Sequence, residues 1–192
     1  MSFAVRPIGL VKGARWEFIG AGTLSTSSTV NFPTTAQAGD LAVFCASATN
    51  SGSPPSGWTL LASGSALQGY LVCSGGETSA TWSRYNESNA CILLFRPAGG
   101  SASLYDSKTD NPTANRTMSA GAAPSLIVAI GNYTSSKTWS PTLPGSWSVV
   151  QNIGTAPAFY VAWRLMDAGE STGTMNLGGA STRQTFGIWG IA

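Results

Sequence analysis

The fold class is decided by the stretch Leu41-Ala-Val-Phe-Cys-Ala-Ser-Ala48 and by Pro55-Ser-Gly-Trp-Thr-Leu-Leu61, which follows a turn rich in Gly and Pro. Both runs are short and apolar, with β-branched or aromatic residues, and neither has the 3.6-residue periodicity of an amphipathic helix. Such runs between clusters of Gly, Pro and Ser predict β-strands. No other segment of helical length has clean helical periodicity. The sequence therefore predicts an all-β protein.

The same strand signal recurs along the whole chain, and turn clusters such as Ser74-Gly-Gly76 and Pro141-Thr-Leu-Pro-Gly145 separate the runs. About fourteen short strands in two packed layers predict a single antiparallel β-sandwich. The predicted strands are Trp16–Gly20, Thr29–Phe32, Leu41–Ala48, Thr59–Ser63, Gln68–Ser74, Ser79–Trp82, Ala90–Arg96, Leu104–Ser107, Arg116–Ser119, Ser125–Tyr133, Ser146–Gln151, Ala158–Met166, Gly173–Leu177 and Gln184–Ile191.

The second half of the chain repeats the order of these runs. Leu126-Ile-Val-Ala-Ile130 precedes Pro144-Gly-Ser-Trp-Ser-Val-Val150, as the two opening stretches follow one another in the first half. A tyrosine then follows each tryptophan, at Tyr70 and at Tyr160. Two similar units, each unable to bury its apolar face alone, would stack face to face in one sandwich.

We therefore predict one sandwich domain over residues 16–192, with pseudo-repeated halves at about 16–97 and 116–192. An N-terminal arm of residues 1–15 precedes it. No stretch of linker composition separates the halves, which favours one domain over two.

The composition argues against catalysis. The 192 residues include no His and only 10 Lys and Arg with 8 Asp and Glu, which is 9% charged, against about a quarter in an ordinary soluble domain. Nucleophilic sites built on a Ser-His-Asp or Cys-His pair are excluded because no His is present. We expect no enzyme activity and no cofactor. The net charge of +2 predicts no nucleic-acid binding. The low charge has two interpretations: a partner covers the surface, or Ser and Thr hydroxyls hydrate it.

The three cysteines, Cys45, Cys73 and Cys91, match no zinc or redox spacing. Each lies in an apolar run and is expected to be a small buried side chain, although a Cys73–Cys91 bridge stays open. Arg6 and Pro7 interrupt any signal-peptide apolar core, and no window is long and apolar enough to span a membrane. We expect a soluble product with no membrane partner, made in a cytosol.

Four blocks carry a family resemblance: Gly20-Ala-Gly-Thr23, Ala38-Gly-Asp-Leu-Ala-Val43, Pro55-Ser-Gly-Trp-Thr59 and Ile92-Leu-Leu-Phe-Arg96. Their order and spacing over about residues 18–191 resemble a group of bacteriophage and prophage proteins with "GAGT", "AGDLLV", "PSGWT" and "IAFRG" blocks and a weaker second copy. The chain departs from the pattern at Pro97, where that group has Gly.

The resemblance implies a jelly-roll-like virion structural protein with no catalytic residues to carry over. Its expected role is capsid decoration or cement, or a tail or baseplate component, acting through contacts with other virion proteins and as a homo-oligomer. The expected location is the virion, after synthesis in the cytoplasm of the host bacterium.

The N-terminal arm holds three of the basic residues, Arg6, Lys12 and Arg15, and no acid. An extended basic arm would tether the protein to acidic surface on a neighbouring virion protein. The alternative is a terminus with no role in assembly.

Two loops are the other candidate partner-binding sites. Trp139 lies in the polar loop Ser135–Pro141 and is expected to be exposed, and Pro54 and Pro55 form the counterpart loop in the first half. Trp58 and Trp147 are expected to be equivalent packing residues. Exposed aromatic and proline tips suit protein contacts, and an alternative function is a carbohydrate- or host-surface-binding module of a phage particle.

The stretch Asp106-Ser-Lys-Thr-Asp-Asn111 contains oxygen donors but does not match a metal-binding motif. Lys108 lies among the oxygen donors and the spacing of a calcium loop is absent. We expect a turn there and no metal.

Overall fold

The structure, a computed structural model, describes residues 16–62, 64–83, 88–110, 115–178 and 183–192. Within these ranges lie twelve β-strands, and no helix that could cross a membrane occurs there. The strands are β1 (Trp16–Ala21), β2 (Thr29–Asn31), β3 (Leu41–Gly52), β4 (Thr59–Ala62), β5 (Gly64–Val72), β6 (Ser79–Thr81), β7 (Ser88–Pro97), β8 (Ala102–Asp110), β9 (Ser125–Tyr133), β10 (Ser148–Ile153), β11 (Ala158–Met166) and β12 (Arg183–Ile191). The predicted all-β class is confirmed.

Two five-stranded antiparallel sheets form the body of the molecule. Sheet 1 has the order β1-β7-β3-β5-β4, and sheet 2 has the order β8-β12-β9-β11-β10. When β1, β3, β4, β5 and β7 are matched with β8, β9, β10, β11 and β12, the two orders are identical. A small third sheet pairs β2 with β6. The chain thus builds one topology twice, and we call residues 16–97 unit 1 and residues 102–192 unit 2.

The strand registers show which residues of the two units are equivalent. Tyr70 of β5 lies opposite Val43 of β3 and Thr59 of β4. Trp163 of β11 lies in the same way opposite Val128 and Ser148. Trp58 and Trp147, one residue before Thr59 and Ser148, are therefore equivalent, as the sequence predicts. The residue equivalent to Tyr70 is Trp163, so matching it with Tyr160 was wrong.

The predicted count of fourteen strands is too high for the described residues. Arg116–Ser119 and Gly173–Leu177 make only isolated bridges; Arg116 to Met175 joins the two segments, and Ser119 bridges to Ser171, two residues before the second segment. These segments occupy the place in unit 2 that β2 and β6 occupy in unit 1. The halves predicted at 16–97 and 116–192 stay a prediction, but β8 lies between those bounds and belongs to sheet 2.

Three hydrophobic cores are stacked through the molecule. The inter-sheet core joins the facing sides of the two sheets and includes Val43, Phe95, Val128 and Trp189, all fully buried. The outer core of unit 1 lies between sheet 1 and the β2–β6 layer. The outer core of unit 2 lies under the bridged segments and Trp139. Both faces of each central strand are therefore buried, which explains why residues 41–46 of β3 and 126–130 of β9 are continuously apolar and do not alternate.

The contacts between the sheets are reciprocal. Tyr70 of unit 1 packs edge-on against Trp189 of unit 2, with ring centroids 5.9 Å apart. Trp163 of unit 2 is equivalent to Tyr70, and Phe95 of unit 1 is equivalent to Trp189. These two rings also pack edge-on, with centroids 5.4 Å apart. Such exchange of partners is the signature of a two-fold interface. The units are therefore related by a pseudo-two-fold axis between β3 and β9.

A buried polar contact lies beside that axis. Asn132 Nδ2 of β9 donates to Ser47 Oγ of β3 at 2.6 Å, and Ser47 Oγ donates to the Ala158 carbonyl at 3.3 Å. Both side chains are fully buried. They are also equivalent positions, because Ser47 follows Val43 by four residues and Asn132 follows Val128 by four.

All four edge strands of the two five-stranded sheets contain a β-bulge. The ladder of β1 shifts at Ile19 and that of β8 at Tyr105. The ladders of β4 and β10 shift at Leu61 and Val150. The bulges fall at equivalent positions of the two units. Bulged edges resist pairing with another sheet. These edges are therefore protected against aggregation even where no neighbouring protein covers them.

Candidate functional site

The structure separates the residues that the sequence singled out. Arg6, Lys12 and Arg15 lie outside the described residues. Pro54 is half-buried and its ring lies near Gly69 of β5. Pro55 is buried at the edge of a cleft on the outer face of unit 1. Trp139 is in unit 2, so the two predicted loops do not form one site.

The prediction that Trp139 is exposed is wrong. Its side chain is 8% exposed and packs on Tyr160, with ring centroids 5.6 Å apart. Its indole N–H donates to the Ile153 carbonyl at 2.9 Å. The ring covers Gly131, where a Cβ would lie 2.8 Å from Trp139 Cζ3. Trp139 is thus part of the outer core of unit 2, because sheet 2 needs an apolar cover on that face.

The cleft on unit 1 has a volume of about 330 Å³, and we call it the Trp58 cleft. It is lined by Phe32, Pro55, Ser56, Trp58, Leu71, Glu77, Ser79, Ala80 and Thr81. The half-buried Trp58 indole is held by Phe44, at 5.9 Å and 72°, and by Phe32 at 6.2 Å. A tight turn precedes it, in which Trp58 N–H donates to the Pro55 carbonyl at 3.2 Å and Gly57 has φ +83°. Positive φ favours glycine, so the Pro-Ser-Gly-Trp motif fixes the turn that places Trp58 at the edge of the cleft.

Glu77 provides the carboxylate of the cleft. It accepts hydrogen bonds from the amide and hydroxyl of Ser74, both at 2.8 Å, and from the amide of Gly75 at 3.0 Å. Burial by itself raises the pKa of Glu77, but these bonds outweigh burial and hold the pKa below its usual value. The carboxylate is therefore fixed in place and ionised at neutral pH.

The lowered pKa predicts an acid-dependent loss of stability. Because the folded-state pKa of Glu77 is below the unfolded value of about 4.3, its contribution is complete above that pH and disappears as the pH falls through the folded-state pKa. The difference in melting temperature between the wild type and Glu77→Gln should therefore shrink as the pH falls from about 6 to about 3. A difference that stays constant over this range in calorimetry would contradict the role of Glu77.

The equivalent place in unit 2 is filled by an arginine. Leu71 and Arg164 are the residues after Tyr70 and Trp163, and Glu77 and Glu170 each lie seven residues after those aromatics. The Arg164 guanidinium lies over the Trp147 ring, 5.7 Å from its centroid, and its Nη2 donates to Glu170 Oε1 at 2.7 Å.

Glu170 Oε2 accepts the amide of Asp167 at 2.8 Å, as Glu77 accepts the amide of Ser74. The turn before each glutamate is therefore built in the same way. Sequence reasoning missed this constellation. The available signal was the pair Ser74-Gly-Gly-Glu77 and Asp167-Ala-Gly-Glu170 at one distance from the two equivalent aromatics.

The three cysteines are buried free thiols. Cys45 and Cys91 lie directly opposite each other in β3 and β7 and face the inter-sheet core, whereas Cys73 belongs to the outer core of unit 1. A Cys73–Cys91 bridge is therefore ruled out, because the side chains face opposite sides of sheet 1. Burial raises the pKa of Cys91 to about 12, which makes it a poor nucleophile.

The turn predicted around Asp106 is instead part of strand β8. Asp106 accepts the amide of Ser107 and pairs with Lys108 at 3.2 Å on the surface. Asn111 of the same motif lies outside the described residues. Among the residues that are described, no three His, Cys, Asp or Glu side chains are grouped closely enough to hold a metal ion.

No family model, curated protein or solved structure matches the chain. The interpretation of the Trp58 cleft therefore depends on the geometry of the cleft and on the comparison with the equivalent site in unit 2.

Proposed function

We propose that the protein is a structural component of a bacteriophage particle, as capsid decoration or cement or as part of the tail or baseplate. The observation that supports this best is the architecture of two equivalent units with one inter-sheet core. In unit 1 the first and last strands pair in one layer, and β2 and β6 pair in the other. We interpret this order as an abbreviated jelly roll, built from nested antiparallel pairs, in line with the family resemblance. A rigid protein of two joined units is suited to a structural role in which it binds other proteins and catalyses no reaction.

The outer surface also favours a role in protein contacts. Leu60 of β4 is 42% exposed and Val149 of β10 is 53% exposed. These are equivalent positions on the outer faces of the two sheets, so the molecule presents two similar apolar points. With 9% charged residues, such a surface is suited to cover by other virion proteins or by further copies of this chain.

Incorporation into particles tests the proposal. Epitope-tagged protein should co-purify with intact particles from a producing host and be located on them by immunogold electron microscopy. A chain that lacks residues 1–15 should incorporate less if Arg6, Lys12 and Arg15 tether it, whereas equal incorporation would contradict the tether alone. Absence of the full-length chain from purified capsids and tails would contradict the proposed function.

The carbohydrate-binding alternative loses its main residue with the burial of Trp139. Pro54 is half-buried and Pro55 is buried, although Pro55 still lines the Trp58 cleft. Glycan binding therefore stays a prediction, and any test of it belongs at Trp58.

A further inference from the structure

The internal repeat shows what the Trp58 cleft is shaped to hold. In unit 2 the aromatic face of Trp147 and the carboxylate of Glu170 are both satisfied by one guanidinium, that of Arg164. Arg164 is itself 7% exposed, so this group fills its site. The arrangement combines a cation–π contact with a charge-assisted hydrogen bond.

Unit 1 has the same tryptophan and glutamate but lacks the cation. Leu71 stands at the position of Arg164, and its side chain packs against the outer core of unit 1. The result is an open cleft that contains the Trp58 indole and the Glu77 carboxylate, and no basic residue is among the described residues that line it. Both groups are held in place beforehand, Trp58 by two aromatic rings and Glu77 by three donors.

We propose that the Trp58 cleft binds an arginine side chain of a partner protein. The guanidinium stacks on Trp58 and donates to Glu77, as Arg164 does within unit 2. Arginine is favoured over lysine because its planar guanidinium stacks on an aromatic face and donates along two directions. The inference extends the role in protein contacts to a defined site with a defined chemistry.

One local difference sets the position of the bound group. A Cβ on Gly145 would overlap Arg164 Nη1, so glycine makes the room for the intramolecular guanidinium. Unit 1 has Ser56 two residues before Trp58, where Gly145 stands two residues before Trp147. The incoming guanidinium therefore lies further from the turn, towards Glu77.

Binding of a small probe to the whole protein tests the proposal. Nα-acetyl-arginine amide should shift the indole N–H signal of Trp58 in NMR spectra, with a dissociation constant on the order of millimolar. Nα-acetyl-lysine amide should bind more weakly. Glu77→Gln should abolish the shift, and Glu17→Gln, at an exposed carboxylate on β1, should leave it unchanged.

Exchange of the residues between the units gives a second test. Leu71→Arg combined with Ser56→Gly should fill the cleft, block the probe and raise the melting temperature by about 3 °C. Arg164→Leu should open the equivalent cleft, so that the probe also shifts the Trp147 indole signal.

Two results would overturn the proposal: a Trp58 response that persists in Glu77→Gln, or a response to neutral saccharides with none to arginine. Neither result affects the particle assignment, which is read from incorporation.

Discussion

Replacing Trp189 by alanine should lower the melting temperature by about 12 °C, which corresponds to about 4 kcal/mol of unfolding free energy. Trp189 is fully buried in the inter-sheet core and packs edge-on against Tyr70 of the other unit. Its removal leaves a cavity between the sheets, which the surrounding strands fill only in part. The loss falls on both units at once, because the core that is damaged belongs to both.

The form of the transition is as informative as its midpoint. Calorimetry should show one cooperative transition in the wild type and in Trp189→Ala, and the indole signals of Trp82 in unit 1 and Trp139 in unit 2 should disappear together. Leu60→Ala, at a side chain that is 42% exposed, should change the melting temperature by only about 2 °C. Two transitions, one for each unit, would contradict a shared core.

Replacing Arg96 by methionine should be nearly as damaging, with a loss of about 3 kcal/mol and a melting temperature lower by about 9 °C. Arg96 donates to both carboxylate oxygens of Asp40 at 2.8 and 2.9 Å, and the Asp40 side chain is 1% exposed. Its bond to Asp40 raises the pKa of Arg96. Without the guanidinium, the carboxylate keeps the Gln37 amide, at 2.9 Å, as its partner among the described residues, and the site is almost closed to water.

Two further variants separate this effect from lost packing. Asp40→Asn combined with Arg96→Met removes the buried carboxylate that Arg96→Met leaves without its cation. The double variant should recover part of the stability that Arg96→Met loses. Lys108→Met breaks a surface pair in which both side chains are more than 40% exposed, and should cost less than about 1 kcal/mol. If Arg96→Met were no worse than Lys108→Met, the buried pair would not stabilise the fold.

Local pattern predicted most of the strands, because their chemistry is contained in their own residues. Ser125–Tyr133 and Ala158–Met166 match the observed β9 and β11 at both ends. The number of cores was harder to foresee. The sequence predicted one core between two stacked halves, whereas the central strands are buried on both faces. The second faces are covered by short segments, such as β2 over sheet 1 and Arg116–Ser119 over sheet 2, with weak signals of their own.

The candidate site was predicted less well, for a geometric reason. Trp139 has polar neighbours along the chain, and its burial depends on Gly131 and Tyr160, which are distant in sequence. The sequence also predicts an exposed loop tip at Pro54 and Pro55, but Pro54 is half-buried and Pro55 is buried. The grouping of Trp58, Leu71 and Glu77 depends on strand register, and a slip by one residue would turn each strand residue to the other face. Only the paired ladders establish which residues share that face.

The hydrogen bond from Asn132 to Ser47 has a consequence for how the two units can diverge. In a dimer of identical chains, a contact that lies on the dyad itself joins a residue to its own copy, so one side chain must serve as both donor and acceptor. Here the two positions are encoded separately, and an amide donor meets a hydroxyl acceptor. When two similar units are joined in one polypeptide, the two residues that meet at the centre of their interface can therefore differ, and neither has to pair with its own copy. The same freedom allows Leu71 and Arg164 to differ, so that one unit is closed and the other is open to a partner.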